Sequence, residues 1–229
     1  MTTRTNARIA GLAFLVYIAA AFPAMVLHSR AVGSGTTAAK LASIAQHVPE
    51  MRLAILLDLV GCFCALILAV TLYAITRDVD PDLALMVLAF RTGEGVIGAL
   101  SLPQAIDQIW LATVSGPSAP DPTTANALAA MLLKLPSGGM MIGASFFAVG
   151  SLCFSYLLLR GRLIPVVLSW IGVIGSVLVV VLLPLQLAGF VSGPITQWMW
   201  LPLLAFEVPL GFWLIIKGVA APARRQAAQ

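Results

Sequence analysis

Charge is the property that this sequence has least of. Charged side chains make up only 10% of the 229 residues, whereas hydrophobic side chains make up 60%, and the mean hydropathy is +1.01. A soluble globular domain carries about 25% charged residues, so the composition excludes that class. A nucleic-acid-binding protein is excluded as well, because the net charge of +4 is not arranged as a basic stripe interleaved with exposed aromatic residues.

Histidine and cysteine are also rare, and their scarcity limits the chemistry. The two histidines, His28 and His47, are too few for a three-histidine zinc site unless carboxylates substitute. Cys62, Cys64 and Cys153 all fall in apolar stretches, where odd cysteines are most often small packing residues. The sequence also lacks a G-x-S-x-G nucleophile elbow, a Walker lysine motif and a pair of haem ligands within its apolar stretches. We therefore expect no metal and no cofactor.

In place of charge, the sequence has long apolar stretches. A helix needs about 20 consecutive apolar residues to cross a bilayer, and six stretches meet this requirement: roughly 9–28, 53–75, 83–103, 139–159, 163–187 and 197–217. Two shorter segments, 37–48 and 122–135, have an apolar face on one side only. We predict an all-α, polytopic membrane helical bundle of six transmembrane helices with two short outer amphipathic helices, forming one membrane domain over residues 1–229.

The distribution of Lys and Arg predicts the orientation of these helices. With the N-terminus inside, the cytoplasmic side receives eight of the thirteen Lys and Arg residues, and the outer side receives four. Cytoplasmic loops are enriched in these residues, so we expect both termini in the cytoplasm. The expected partner is the lipid bilayer, including its anionic lipids, and a homo-oligomer is left open. The cytoplasmic set is Arg4, Arg8, Arg77, Arg160, Arg162, Lys217, Arg224 and Arg225, and the outer set is Arg30, Lys40, Arg52 and Lys134.

The third apolar stretch contains the thirteenth basic residue, which falls inside a predicted span. Arg91 and Glu94 lie three residues apart and share one side of a helix with Gly95 and Gly98. A charge at the bilayer centre costs from about 2.5 to more than 10 kcal/mol, so this side should face protein or trapped water. The glycines allow a neighbouring helix to approach closely.

Two further carboxylates fall inside predicted spans. Asp58 shares its helix face with small residues, which predicts a buried side chain that faces other helices, and Glu207 lies near the middle of the last stretch. If Asp58, Glu94, Glu207 and Arg91 are all ionised and close together, the group has two negative charges in excess. We therefore expect at least one carboxylate to be protonated at neutral pH, or a cation or cationic ligand to share the site.

Several stretches of the sequence resemble a known family. They are RGRLIPVVLSWIGVIG at 160–175, FEVPLGFWLIIKG at 206–218, AFRTGE at 89–94 and RIAGL at 8–12. They resemble the bacterial integral-membrane family named domain of unknown function 4386, and the resemblance covers nearly the whole chain. It implies a six-span protein of the bacterial inner membrane and no particular activity. Arg91, Glu94, Glu207 and Lys217 match the family's charged positions, and Asp58 matches them less closely.

These observations leave three functional classes open. The first is a protein that binds or transports a small or lipid-like ligand, or a proton, at the candidate ligand-binding residues Asp58, Arg91, Glu94 and Glu207. The second is a membrane-embedded enzyme that uses a protonated carboxylic acid as general acid on an apolar substrate such as an isoprenoid or lipid. The third is a structural or regulatory partner of another membrane protein, in which Arg91 pairs with a carboxylate only to hold helices in register.

Overall fold

The helices of this chain account for nearly all of the residues whose structure can be described. A computed structural model describes residues 2–116 and 119–220, without the side chains of residues 134–139. No strand occurs in this part of the chain. Its eight helices are α1 (Thr3–Val32), α2 (Thr37–Gln46), α3 (Val48–Thr76), α4 (Pro81–Thr113), α5 (Pro122–Arg160), α6 (Val166–Leu187), α7 (Ile195–Trp198) and α8 (Leu201–Ile216).

Within the described ranges, six segments are long and apolar enough to cross a membrane. Four of them are α1, α3, α4 and α6, the fifth is the Met140–Arg160 part of α5, and the sixth is Ile195–Ile216, which consists of α7 and α8. Each predicted apolar stretch corresponds to one of these segments. The predicted membrane helical bundle is therefore confirmed.

Two predicted helix boundaries differ from the structure. The stretch 122–135 is not a separate outer helix, because α5 begins at Pro122 and continues into the fourth span without a break. The third span, which was predicted to end or bend near Pro103, does not end there, since α4 continues to Thr113. A proline within a helix removes one hydrogen bond and bends the chain without always ending the helix. At both places the helix continues beyond the predicted end.

The six spans form a closed ring in which each packs against the next along the chain, and α8 packs back against α1. The closing contact depends on two glycines. A Cβ atom added at Gly11 of α1 would lie 2.5 Å from the carbonyl oxygen of Gly211 of α8, and one added at Gly211 would lie 3.2 Å from the carbonyl oxygen of Gly11. The two backbones therefore touch where α1 and α8 cross, as small residues permit in membrane helix packing.

One end of the ring, which we call the termini end, carries the start of α1, the α3–α4 turn, the α5–α6 turn and the end of α8. An ion pair of 2.6 Å between Asp80 and Arg160 joins the two turns. Asp80 also caps α4 by accepting a hydrogen bond from the Leu83 amide. That amide, together with Arg160, holds the pKa of Asp80 below its usual value of 3.8. We call the other end, which α2 covers, the α2 end.

The buried apolar residues form two separate clusters. The larger cluster extends from the termini end past the middle of the bundle, to Leu183 on α6 and Met199 just before α8, and it also includes Phe14, Leu158 and Phe206. The smaller cluster lies at the α2 end, where Ala31, Ile44, Met51 and Ile109 pack together. The candidate site lies within the larger cluster, three of whose phenylalanines surround it.

Candidate functional site

Arg91 lies at the centre of the ring and is completely buried. Its Nη1 atom donates to Oε2 of Glu94 at 2.9 Å, and its Nη2 atom donates to Oγ of Ser151 at 3.2 Å. Nη2 also forms an ion pair of 3.5 Å with Oε1 of Glu207. The guanidinium therefore connects α4, α5 and α8, and it brings together three of the four residues that the sequence predicted as ligand-binding.

Three aromatic rings surround the same guanidinium. Its Cζ atom lies 4.6 Å from the centre of the Phe147 ring, 5.3 Å from that of Phe154 and 5.6 Å from that of Phe14. A cation within about 6 Å of a ring centre is attracted by the ring's electron density. The rings also exclude lipid and water, so Arg91 is held by charge and aromatic contacts together.

Glu94 has a second partner that sequence reasoning missed. The hydroxyl of Tyr17, on α1, donates to Oε1 of Glu94 at 2.9 Å. Both carboxylate oxygens of Glu94 are thus hydrogen-bonded, one to Tyr17 and the other to Arg91. Ser151 was also missed. The available signal was a polar hydroxyl inside each apolar run, but no sequence pattern indicates that these runs meet Arg91.

Glu207 is held less completely than Glu94. Among the described residues, neither its Oε1 atom nor Nε of Arg91 has a hydrogen-bond partner, although both are buried. The ion pair between the two residues is longer than a usual hydrogen bond. If both glutamates are ionised, Arg91 leaves one negative charge uncompensated. The cluster therefore keeps hydrogen-bonding capacity and an excess of acid at its centre.

Asp58 lies apart from this cluster, and the prediction that its side chain is buried was wrong. The sequence predicted a buried side chain, but Asp58 is exposed. Its position along α3 is nevertheless on the inward side, four residues after buried Ala54 and seven before buried Ala65. The small neighbours do face the bundle interior, as predicted. The side chain is exposed because the neighbouring helices do not close over it.

The same interruption occurs on α1 and α4. On α1, Ala20 is buried between Phe14 and Ala24, whereas the adjacent Ala21 is exposed and Tyr17 is half-buried. On α4 the inward side is buried through Glu94 and Gly95 and again at Ile109, and the inward residues between them are half-buried: Gly98, Leu102 and Ala105. Three helices are thus open at the level between the two apolar clusters.

These exposed and half-buried residues, which we call the Asp58 crevice, are Tyr17 and Ala21 on α1, Asp58 and Gly61 on α3, and Gly98 and Leu102 on α4. A Cβ atom added at Gly61 would lie 3.8 Å from Cε2 of Tyr17, and one added at Gly98 would lie 3.0 Å from Sγ of Cys62. The walls from α1 and α3, and from α3 and α4, are therefore in contact. Tyr17 connects the crevice to Glu94 and, through it, to Arg91.

No group that could hold a metal ion occurs in the described part of the chain, where three or more His, Cys, Asp or Glu side chains do not come together. The polar groups that do come together are carboxylates, a guanidinium and hydroxyls. Such a set can hold a proton, a cation or a hydrogen-bonding ligand.

The ring of six apolar helices with a charged centre defines a multi-pass membrane protein. The chain belongs to the family described as domain of unknown function (DUF4386), whose model matches residues 9–218. This membership confirms the resemblance seen in the sequence. Neither the comparison with curated proteins nor that with solved structures gave a match.

Proposed function

We propose that this protein binds a small ligand with a positively charged group in the Asp58 crevice, as a membrane binding protein or transporter. The observation that supports this most directly is the position of Asp58. A carboxylate that lies on the inward side of a membrane helix, and yet is exposed, is costly unless it serves a site. Intramembrane ionisable groups of this kind mark substrate or ion pathways in membrane proteins.

The chemistry of the crevice wall selects the class of ligand. Asp58 accepts hydrogen bonds, and Tyr17 already uses its proton on Glu94, which leaves its oxygen as an acceptor. The remaining walls are small or apolar, with Ala21, Gly61 and Leu102. A ligand with a charged amino or ammonium group and an apolar body matches these walls. A proton without any other ligand would bind at the same carboxylates.

The acid excess of the centre supports the same class. Arg91 carries one positive charge against the two carboxylates Glu94 and Glu207, and Asp58 adds a third carboxylate. Bound cationic charge reduces the repulsion among these groups, whereas an anionic ligand increases it. We therefore expect a cation to be preferred over an anion of the same size.

Mass spectrometry of organic extracts from the purified protein tests the proposal. Wild type, Asp58→Asn, Glu207→Gln and Asp107→Asn are prepared identically; Asp107 is an exposed acid of α4 outside the crevice and serves as the matched control. We expect an amine-containing compound in extracts of the wild type and of Asp107→Asn. We expect its amount to fall at least about tenfold in Asp58→Asn and to fall in Glu207→Gln, with both variants still folded.

A second measurement uses defined probes. Tetraalkylammonium ions and carboxylates of matched size are added to the purified protein, and the apparent Tm is recorded. We expect the cations to raise the Tm of the wild type and of Asp107→Asn but not of Asp58→Asn. The proposal fails if no compound is enriched and no cation stabilises the wild type more than its matched anion.

The enzyme alternative is supported by one separate observation. Glu207 has a carboxylate oxygen without a hydrogen-bond partner in the described structure, close to the aromatic rings around Arg91. A protonated acid beside aromatic rings suits general-acid chemistry on an apolar substrate. Conversion of a lipid extract by the purified protein, lost in Glu207→Gln but kept in Asp58→Asn, would favour this alternative over binding.

The structural alternative assigns the ion pairs of Arg91 only to helix register. It predicts that Glu207→Gln changes stability without changing any bound compound. It also predicts normal extracts and normal cation responses in Asp58→Asn, because Asp58 makes no contact with Arg91. The two measurements above therefore distinguish it from the binding proposal.

For location, we propose the inner membrane of a bacterium with both termini in the cytoplasm. The family resemblance supports the bacterial membrane, and the eight-to-four distribution of Lys and Arg supports the orientation. Reporter fusions test it: a phosphatase active only outside the cytoplasm should be active after residue 35, in the α1–α2 link, and inactive after residue 79, in the α3–α4 turn.

A further inference from the structure

A second polar site lies at the termini end, far along the bundle from the Asp58 crevice. Here the α5–α6 turn meets the chain that leaves α8, and the amide of Ala220 donates to the carbonyl oxygen of Leu163 at 2.9 Å. This hydrogen bond fixes the two segments side by side. Between them is a pocket of about 240 Å³, which we call the basic pocket and whose lining includes Arg162, Leu163, Ile164, Trp213, Lys217 and Val219.

The charged groups of the basic pocket are all positive. Arg162 and Lys217 are exposed and line the pocket, and neither takes part in the ion pairs found among the described residues. Arg4 lies close by, since a Cβ atom added at Gly218 would lie 3.9 Å from Cγ of Arg4. By contrast, the neighbouring Arg160 is paired with Asp80. Among the described residues, the pocket therefore has two cations without an ion-pair partner, where an anion can bind.

The floor and the location of the pocket indicate what carries that anion. Leu163 and Ile164 are buried, and Val219 and Trp213 are half-buried, so the pocket has an apolar floor beneath its cations. It lies where the spans α5 and α8 end and α6 begins, which is the level of the lipid headgroups. Tryptophan is enriched at this level of membrane proteins, with its ring in the apolar layer and its N–H towards the headgroups.

We propose that the basic pocket binds the phosphate of an anionic phospholipid through Arg162 and Lys217, with the glycerol region of the lipid against Trp213 and the apolar floor. Arginine can donate two hydrogen bonds to a phosphate, and lysine adds a mobile charge. A lipid bound here would join the α5–α6 turn to the end of α8. The site is independent of the Asp58 crevice and of the function proposed for it.

Native mass spectrometry of the delipidated protein tests this assignment. Phosphatidylglycerol and phosphatidylcholine with identical acyl chains are added separately to the wild type, to the double variant Arg162→Gln/Lys217→Gln and to Arg77→Gln. Arg77 is an exposed cation of the same end that does not line the pocket, so Arg77→Gln is the matched control. We expect the first phosphatidylglycerol to bind at least about tenfold more weakly to the double variant and unchanged to Arg77→Gln.

The remaining outcomes overturn the proposal. Equal binding of the two lipids to the wild type would show that the pocket does not select negative charge. Equal loss in Arg77→Gln and in the double variant would show diffuse attraction to the whole end instead of a site. If inorganic phosphate or glycerol phosphate raises the apparent Tm as much as phosphatidylglycerol does, the pocket binds a free phosphate and not a lipid.

Discussion

The two halves of this bundle differ in how completely their inward sides are closed. From the termini end to Arg91, the inward residues of α1, α3 and α4 are buried without interruption, and α8 closes the ring against α1 through Gly11 and Gly211. Beyond Arg91, the inward sides of α1 and α3 open at Ala21 and Asp58 and close again towards α2, whereas buried residues continue along α6 and α8 at Leu183 and Leu203. The first half is therefore a packed scaffold, and the second is incompletely closed along α1, α3 and α4.

Arg91 lies at the boundary between the two halves. Members of the larger apolar cluster surround it, and Glu94 and Tyr17 connect it to the open half. A charged residue at this boundary can be satisfied by protein groups while its partners face a ligand. The difference between the halves can be tested by changes that act on one half, on the boundary, or on both.

The largest effect is expected at the boundary. Replacing Arg91 by Ala leaves Glu94 and Glu207 buried without their cation, and breaking a buried ion pair costs about 3–5 kcal/mol. For a protein of this size we expect the apparent Tm in detergent to fall by about 10 °C. The apparent Tm of Glu207→Gln, which leaves the Arg91–Glu94 pair intact, should fall much less.

The triple variant Arg91→Met/Glu94→Gln/Glu207→Gln serves as the control, because it removes all three charges together. It should recover much of the stability lost in Arg91→Ala. An apparent Tm of Arg91→Ala equal to that of the wild type, or equal losses in Arg91→Ala and Glu207→Gln, would contradict the central role of the guanidinium.

Replacing a glycine by alanine should lower the apparent Tm in the closed half but not in the open half. A methyl group at Gly11 meets backbone atoms of Gly211, which cannot move away, so Gly11→Ala should lower the apparent Tm by about 5 °C. At Gly61 the nearest atom would be at 3.8 Å, an ordinary contact. Because alanine is the better helix former, Gly61→Ala should leave the apparent Tm unchanged or raise it. A fall of similar size in both variants would mean that the halves are equally packed.

Cysteine labelling compares three neighbouring positions of α3. In a background without native cysteines, Asp58→Cys should react with a charged, membrane-impermeant thiol reagent at least about tenfold faster than Ala54→Cys, which is buried, or Leu56→Cys, which is exposed on the opposite, lipid-facing side. Such reagents attack the thiolate, which forms only in contact with water. Equal rates at Asp58→Cys and Leu56→Cys would show that the crevice is filled by lipid. The background replaces Cys62, Cys64 and Cys153 by Ala or Ser.

The smallest effect is expected at the α3–α4 turn, at the termini end of the closed half. Asp80→Ala removes the cap of α4 and the ion pair with Arg160, and should lower the apparent Tm by roughly 2 °C. Asp80→Asn keeps a capping side chain and should lower it less.

The pH dependence of this turn has a definite sign. Because the pKa of Asp80 lies below its usual value of 3.8 in the folded protein, its ionised form stabilises the fold at neutral pH. This contribution is lost as the pH falls through the lowered pKa. The difference in apparent Tm between the wild type and Asp80→Asn should therefore be constant above about pH 5 and shrink below pH 4. A difference that grows on acidification would contradict the assignment.

The sequence predicted the elements of the fold well because hydrophobicity is a local property. Every span was visible as an apolar run, and the placement of Arg91, Glu94 and Glu207 inside spans implied that they face protein. The continuity of α4 past Pro103 and of α5 from Pro122 was missed. Local signals for helix ends are weak where an uninterrupted backbone hydrogen-bond ladder is possible on both sides.

The sequence by itself determined that this chain is a six-span helical membrane protein with charges that must be paired, because the cost of charge in lipid depends on residue type and not on fold. Only the tertiary structure decided which pairs form. It placed α8 beside α1, brought Tyr17 and Ser151 to the Arg91 cluster, and left Asp58 exposed on the inward side of α3. Contacts between distant helices depend on how whole surfaces pack, and a single helix face does not reveal its neighbour.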